Sequence, residues 1–595
     1  MSIANSGSSS PTISSRVTPR RALALIAVAG LIAVRVVSVY TESVNWDEFN
    51  IVHNAAWTHQ AGELHAGGRP GLAVLTLLPF VADCTSEIEV VQRARLLWLF
   101  FTLAGLLGFG CLIRQQGPRS ARRDMDALLG VSLLALVPEF LVWSIQIRAD
   151  QMAIAAALWG GVALMASRHQ PGWASVAGLL FGLGTLSSQK AVYLIALVGL
   201  LAVADVWRAR ERQFTRDGLR IVLCFSAMGM VIVGFYALMP QIFGAGAEVR
   251  ANGLAAPLPA LTAEAASSQL KFQLSVFDYY RSTIGYSQYL EMLPSLIPQL
   301  GFAGLMAAAT LQLAVRRRRP SLSLVVAWGV MALGLAVGLF HAGAFKYFWM
   351  TLGVFPAMAL VFARESVEAL LDSWGRPVRR GVVAVFWCAL IVPATLQSIA
   401  LLTDTQKVQR QTFDFVSSNF ESHEAGFHSE AGLFCNDDAN RFPAYFSQLI
   451  ERKFGAEAGC AECAPQLIRE FKEKQVKYLV ASFRLTQFPP IVRSFWQENY
   501  LPYRGSLLVA GKFLKADRDD RQPLELVIDG EYLWLPNRPP AEVSIDGRRV
   551  RTGERISLDR GKHEVLFGDR DVEGMLVLAM DEPPKLPLRP FYRDF

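Results

Sequence analysis

The stretch ALALIAVAGLIAVRVVSVYTESVNWDEFN, residues 22–50, decides how the chain is read. Residues 22–40 form an apolar run long enough to enter a bilayer. Just beyond it, NWDEFN at 45–50 sets two adjacent carboxylates, Asp47 and Glu48, between aromatic residues. The same grammar recurs along the first two thirds of the 595 residues: apolar runs separated by Arg-rich breaks, with 52% hydrophobic residues overall. This predicts a polytopic α-helical membrane protein. Helices are expected near 22–40, 94–113, 127–145, 151–167, 172–187, 191–207, 219–240, 293–315, 321–341, 346–364 and 380–402, about eleven in all. The first run lacks a separate cleavage site, because AVA at 27–29 lies inside it, so it is read as an uncleaved anchor. The formal charge of +7 comes from Arg residues between apolar runs rather than on one amphipathic face, which argues against a nucleic-acid partner.

The charges instead set topology. RQQGPRSARRD at 114–124, RARERQFTRDGLR at 208–220, RRRR at 316–319 and the segment 364–380 fall on one side if the N-terminus is cytoplasmic. The loop from Thr41 to about Arg93, the loop 241–292 and everything after Leu402 then lie outside the cytoplasm, which in a bacterium is the periplasm across the inner membrane. The run 71–82 is too short to span and is read as lying along or dipping into the outer leaflet.

The chain divides into a disordered Ser-rich cytoplasmic N-terminus (1–21), a transmembrane region (22–402) and two external units. Residues 403–515 alternate helical segments such as TQKVQRQTFDFVSSNF with short strands such as VKYLVAS, predicting a small α/β layer. After the charged linker KADRDDRQP, residues 522–582 carry period-two strands and Asp-Gly turns, predicting a β-sandwich. AEVSIDGRRVRTGERISLDRGKHEVLF resembles PEGA-like surface modules. Cys111, Cys224 and Cys388 read as apolar fillers, whereas Cys435, Cys460 and Cys463 fall outside the cytoplasm, where a disulfide persists. A structural disulfide, with Cys435 as a candidate member, is preferred over a redox or metal role for the CAEC pair.

Ionisable residues gather at the external helix ends: Asp47 and Glu48, Arg69, Arg148 and Asp150, Gln189 and Lys190, His341 and Lys346. Charge at membrane depth is costly, so such clustering marks a candidate site. A single Lys or Arg there also reads as a snorkelling anchor, and Arg35 inside the first helix is assigned that role. Mixed signs favour chemistry: a carboxylate base, with cations to stabilise an anionic phosphate leaving group. Arg69 suits a forked grip on phosphate and Lys190 a point charge.

NWDEF after the first helix, RPGL at 69–72, IRADQ at 147–151, SSQKA at 187–191 and FKYFWMTLGVFPAMAL at 345–360 occur in the order found in GT-C glycosyltransferases. The chain resembles the branch containing protein O-mannosyltransferases and lipid A aminoarabinose transferases, over roughly its first 400 residues. The resemblance implies a GT-C-like membrane domain and Asp47 as catalytic base with Glu48 beside it. It also implies Arg148 and Asp150 as the family's Arg-x-Asp, and Lys190 as the family's Lys. Lys346 and Tyr347 stand at the lipid-phosphate position before the helix containing Pro356. Arg69 and Gly71 replace the usual Lys and second Pro of Lys-Pro-Pro-Leu. The implied activity is inverting transfer of a sugar from a polyprenyl-phosphate donor to a periplasmic glycan, lipid or protein, with membrane lipids as surroundings. A transporter or flippase of lipid-linked sugars, or a glycan-binding scaffold without catalysis, are the rival classes. No cofactor is required by the sequence. His53, His59 and His65 in the first loop, with Glu48, are weak candidates for a divalent metal ion, lacking a recognised ligand spacing. The Tyr-rich FDYYRSTIGYSQYLEM at 277–292 reads either as a sugar-stacking surface or as an interfacial belt.

Overall fold

The computed structural model describes residues 19–64, 71–84, 86–116, 123–208, 214–243, 298–340, 348–403, 405–420, 426–428, 435, 450, 453–454, 462–516, 521–568, 572–582 and 584. The loops 65–70 and 341–347, with Arg69, Lys346 and Tyr347, lie outside the described residues, as do 1–18 and 244–297.

The N-terminal two thirds is helical. Its elements are α1 (Pro19–Thr41), α2 (Trp46–Ala61), α3 (Leu72–Val81), α4 (Glu87–Gln116), α5 (Arg123–Leu136), α6 (Pro138–Trp143), α7 (Ala149–Ala166), α8 (Trp173–Ser187), α9 (Ala191–Arg208) and α10 (Phe214–Phe243). They continue as α11 (Pro298–Val315), α12 (Leu322–Phe340), α13 (Phe348–Leu352), α14 (Val354–Asp372) and α15 (Arg376–Leu402). Among the described residues, α4, α7, α10, α11 and α15 are long and apolar enough to cross a membrane, and several shorter apolar helices pack beside them. The chain is a multi-pass membrane protein. α4, with 30 residues, runs about 45 Å, more than the hydrocarbon thickness of about 30 Å. Glycines let the helices close up: a Cβ on Gly178 of α8 would sit 2.0 Å from the Cys224 carbonyl oxygen of α10.

Two expected helices are broken. The segment expected as 127–145 divides at Val137, whose backbone is extended ahead of Pro138; a residue before proline is pushed out of the helical region. The segment expected as 346–364 divides at Gly353, which leaves Pro356 in the first turn of α14, where a missing N–H costs nothing. The run 71–82 forms the ten-residue α3, about 15 Å long and too short to span.

Beyond Leu402, α16 (Lys407–Asn419) leads into two sheets. One has seven strands; its main path is β1 (Gly426–His428), β2 (Tyr478–Val480), β4 (Leu507–Lys515), β11 (Glu573–Leu578), β6 (Gly530–Pro536) and β9 (Arg555–Leu558), with β3 (Tyr500–Arg504) also on β4. The other has the order β5 (Arg521–Leu526), β10 (Gly561–Phe567), β7 (Val543–Ile545) and β8 (Arg548–Val550). The expected Asp-Gly turn joins β7 to β8, with Asp546 at φ 50° and Gly547 at φ 81°. The sheet crosses the boundary expected between 515 and 522, because β4 pairs with β11 from Lys515↔Glu573 to Gly511↔Val577. Strand β6, whose Tyr532 and Trp534 are buried, was not among the expected strands.

The C-terminal sheet and the first loop share one core. Phe49, Val52 and Leu77 of α2 and α3 belong to the same buried cluster as Phe413, Tyr503, Val509 and Trp534. A disulfide joins Cys84, after α3, to Cys435 across 351 residues of sequence. Cys84 was not singled out from sequence, and Cys435 pairs with it rather than within the CAEC motif; Cys463 is disulfide-bonded as well. Cys84→Ser and Cys435→Ser are each expected to lower stability by about 2–4 kcal/mol, and the double variant by no more than either single, because one bond is lost in all three. Thermal melts of the purified protein in nanodiscs test this; additive losses would contradict it.

Candidate active site

Asn45 starts α2 as its N-cap: its side chain accepts from the Asp47 N–H at 2.9 Å, and Glu48 Oε2 accepts from the Asn45 N–H at 2.9 Å. This capping box throws Asp47 and Glu48 into different surroundings. Glu48 is fully buried and accepts four hydrogen bonds: from Asn45 N, from Arg95 Nε (2.8 Å) and Nη2 (2.6 Å), and from Ile147 N (2.9 Å). Arg95, also fully buried, spends its remaining donors on the carbonyls of Val39 (3.4 Å), Glu42 (2.8 Å) and Ser43 (3.0 Å) at the end of α1. Glu48 thus anchors the turn, and the carboxylate named as a weak metal candidate is occupied by a guanidinium. His53 is buried and packs edge-on to Trp57; among the described residues no group of three His, Cys, Asp or Glu side chains is arranged to hold a metal ion.

Asp47 faces the loop before α7. Its Oδ2 accepts from Arg148 Nη2 at 2.6 Å, and both side chains are nine-tenths buried. Arg148 is the N-cap residue of α7, its guanidinium 5.1 Å from the centre of the Trp143 ring and its carbonyl held by Trp98 Nε1 at 2.5 Å. Two residues on, Asp150 accepts from Lys190 Nζ (2.9 Å) and from Ser188 Oγ (2.9 Å). Lys190 lies immediately before α9, with Nζ 5.5 Å from the ring of Phe348, the first described residue after the Lys346–Tyr347 pair. Asp47, Arg148, Asp150 and Lys190, spread over more than 140 positions of sequence, therefore form one ladder of alternating charge.

Sequence reasoning did not find the parts that hold this ladder. Arg95 hides at the entry to an apolar run, VVQRARLLWLFF, where it looks like a flanking charge; its signal is the Trp98 one turn on, which shares its face. Gln146 donates to Glu42 Oε1 at 2.9 Å, and Gln151 of IRADQ holds the carbonyls of Trp143 (2.5 Å) and Gln146 (2.9 Å). Arg35 is not a snorkelling anchor. It is fully buried and bonds Ser144 Oγ (2.9 Å) and the Ala135 carbonyl (3.3 Å) at the break ahead of Pro138. That break exposes a carbonyl that a continuous helix would have used, and the guanidinium satisfies it.

No family model matches the chain, and no curated protein matches it. Among solved structures, ArnT from Cupriavidus metallidurans in the apo state aligns with TM-score 0.50 and 14% identity, covering 82% of this chain and 98% of that one. The same protein bound to undecaprenyl phosphate aligns with TM-score 0.43 and 14% identity over 70% of this chain and 84% of that one. The oligosaccharyltransferase of Archaeoglobus fulgidus in complex with Zn and sulfate aligns with TM-score 0.46 and 11% identity, over 94% and 98%. The fold is similar to that of ArnT from Cupriavidus metallidurans.

Removing one partner of the Glu48–Arg95 pair leaves a buried charge without compensation, so Arg95→Ala or Glu48→Ala is expected to cost about 3–5 kcal/mol. Arg95→Lys should recover little, since an ammonium cannot fork to a carboxylate and reach three carbonyls. Thermal midpoints in nanodiscs decide this, and a wild-type midpoint for Arg95→Lys would refute the anchoring role.

Proposed function

We propose that the protein is an inverting glycosyltransferase that moves a sugar from a polyprenyl-phosphate carrier to the hydroxyl of a glycan, lipid or protein outside the cytoplasm. The observation that carries this reading is the Asp47–Arg148···Asp150–Lys190 ladder, which gathers a base and phosphate-binding cations beside the ends of three helices. Asp47 accepts the proton of the acceptor hydroxyl as its oxygen attacks the anomeric carbon. The bond from that carbon to the phosphate oxygen breaks on the opposite face, and polyprenyl phosphate leaves with the electron pair. Arg148 holds the Asp47 carboxylate in orientation, while Lys190 meets the leaving phosphate; Arg69, Lys346 and Tyr347 are assigned the same phosphate on the strength of the motif order. Glu48 contributes by fixing the turn that carries Asp47.

The side of the membrane has its own support. A Cys84–Cys435 bond requires both residues in one compartment, and such bonds persist outside the reducing cytoplasm. Cys84 follows the loop that carries Asp47, and Cys435 follows the last apolar helix, in agreement with the Arg distribution. The donor class rests on the motif order. An apolar groove between α5, α11, α14 and α15, lined by Leu133, Val137, Phe302, Pro356, Leu360 and Phe386, has the apolar character a lipid chain requires.

Asp47→Asn is expected to reduce release of polyprenyl phosphate at least about 10³-fold, while binding of the polyprenyl-phospho-sugar stays near wild type. Lys190→Gln is expected to raise the donor KM about tenfold or more, the loss of a charge-assisted contact of about 1.5–3 kcal/mol. Purified protein with a radiolabelled polyprenyl-phospho-sugar tests both. Turnover by Asp47→Asn near the wild-type rate would remove the mechanism, and a wild-type protein that carries the lipid across the bilayer without releasing polyprenyl phosphate would establish the transporter reading instead.

A further inference from the structure

We infer that Gln409, on the first helix beyond the last apolar one, is a positioning residue for the Asp47 base, so that the external region is part of the reaction machinery rather than an accessory glycan-binding unit. This rests on the proposed transfer reaction. Gln409 is fully buried. Its Oε1 accepts from the Val44 N–H at 2.7 Å and its Nε2 donates to the Val44 carbonyl at 2.8 Å. Both backbone groups of one residue are thereby fixed by a single side chain, three positions before Asp47.

The neighbouring contacts repeat the pattern. Thr405 Oγ1 accepts from the Ser43 N–H at 2.8 Å, and the N–H groups of Thr405 and Gln406 reach the Thr41 carbonyl at 2.8 and 3.2 Å. Thr41 Oγ1 in turn donates to the Leu401 carbonyl at 2.7 Å. Phe413, one turn beyond Gln409, packs on Phe49 with ring centres 5.6 Å apart. The stretch from Thr41 to Asn45 lies between two helices and has no ladder of its own; its backbone polarity is met by α16 on one side and by Arg95 on the other. Arg95 holds the end of α1, whereas Gln409 holds the residue from which the Asn45 cap departs. Loss of the Gln409 bonds frees the α2 entry to shift, and a displacement of about 1 Å at a base costs rate on the order of 10²-fold without touching distant donor contacts.

The test compares wild type, Gln409→Met and Thr405→Val in nanodiscs; Met keeps the length of Gln but neither donor nor acceptor, and Val keeps the shape of Thr. Two readouts are taken: amide hydrogen exchange of peptides covering 41–52, and kcat and KM for a polyprenyl-phospho-sugar. Gln409→Met is expected to exchange faster across 43–50, to lose at least tenfold in kcat and to keep its donor KM within twofold; Thr405→Val should follow in the same direction with smaller changes. Exchange at the wild-type rate overturns the clamp. Faster exchange with wild-type kcat overturns the positioning role, as does a rise in donor KM equal to the fall in kcat. Should Gln409→Met not fold, Thr405→Val decides by the same criteria. A wild-type protein that releases no polyprenyl phosphate refutes the reaction and with it the positioning role, while exchange still reads the clamp.

Discussion

The Glu48–Arg95 pair is the constraint from which the rest of the site follows. Arg95 has five N–H donors and all five are used, two on Glu48 and three on carbonyls at the end of α1. Glu48 returns four acceptor contacts, one of them to Ile147, directly before Arg148. One saturated ion pair therefore ties three stretches of chain: the α1–α2 turn, α4 and the loop entering α7. Burying two charges is unfavourable unless the geometry is complete, and here it is. The gain is register. With Glu48 fixed toward α4, the helical step places its neighbour Asp47 toward the α7 loop, where Arg148 waits. Neither carboxylate could exchange roles with the other, because only one of them is surrounded by donors that no substrate displaces.

Much of the ladder was legible in the sequence because membrane physics writes it plainly. Asp47, Arg148, Asp150 and Lys190 stand at the ends of apolar runs, where an ionisable group is conspicuous, and the spacing of Arg-rich breaks sorts them to one side. What the order of motifs did not carry was the division of labour within NWDE. Asn45 and Glu48 at N-cap and N3 form a capping box, a pattern present in the residues but readable only once the helix is known to begin there. Arg95 and Gln409 were hidden for a different reason. Both partners of Gln409 and three of the five acceptors of Arg95 are main-chain groups, and no side-chain pattern advertises a carbonyl. Cys84 was hidden by distance, its partner lying 351 residues away. The pairing of β4 with β11 across residues 516–572 was hidden for the same cause: each looks like an ordinary strand, and nothing local says that they pair.

The C-terminal region then takes on a different meaning. Read from sequence alone, it is a small α/β layer followed by a β-sandwich that resembles a surface module. Its first helix instead shares a core with α2 and α3, and its sheet contributes Tyr503, Val509 and Trp534 to the same cluster as Phe49. The Cys84–Cys435 bond closes this contact from the far side of the loop. A loop of this kind would ordinarily be among the least stable parts of a membrane protein, since it gains little from the lipid-packed helices. Here it is held by a soluble-type hydrophobic core, whose driving force exists only where water does. The same cluster takes in Val91, Ala94 and Trp98 of α4 and Met152 of α7, so one core joins α2 to the long helices and to the C-terminal sheet.

The placement of the cations runs against helix electrostatics and so needs a reason. Arg148 caps α7 and Lys190 sits just before α9, both at helix N-termini, where the macrodipole is positive and a cation is disfavoured by about 0.3–1 kcal/mol. Asp47 and Asp150, in the first turns of α2 and α7, are favoured there by the same dipoles. A fold selected only for stability would keep the acids and drop the bases, since N–H groups alone satisfy a carboxylate at such a position. Retaining both leaves a cluster of positive helix ends and cations that two carboxylates offset in the resting protein. In the proposed transfer, the phosphate meets those same groups and gains from the dipoles what Arg148 and Lys190 lose to them. On that proposal the ladder is the resting arrangement of a site whose helix ends and cations favour an added anion.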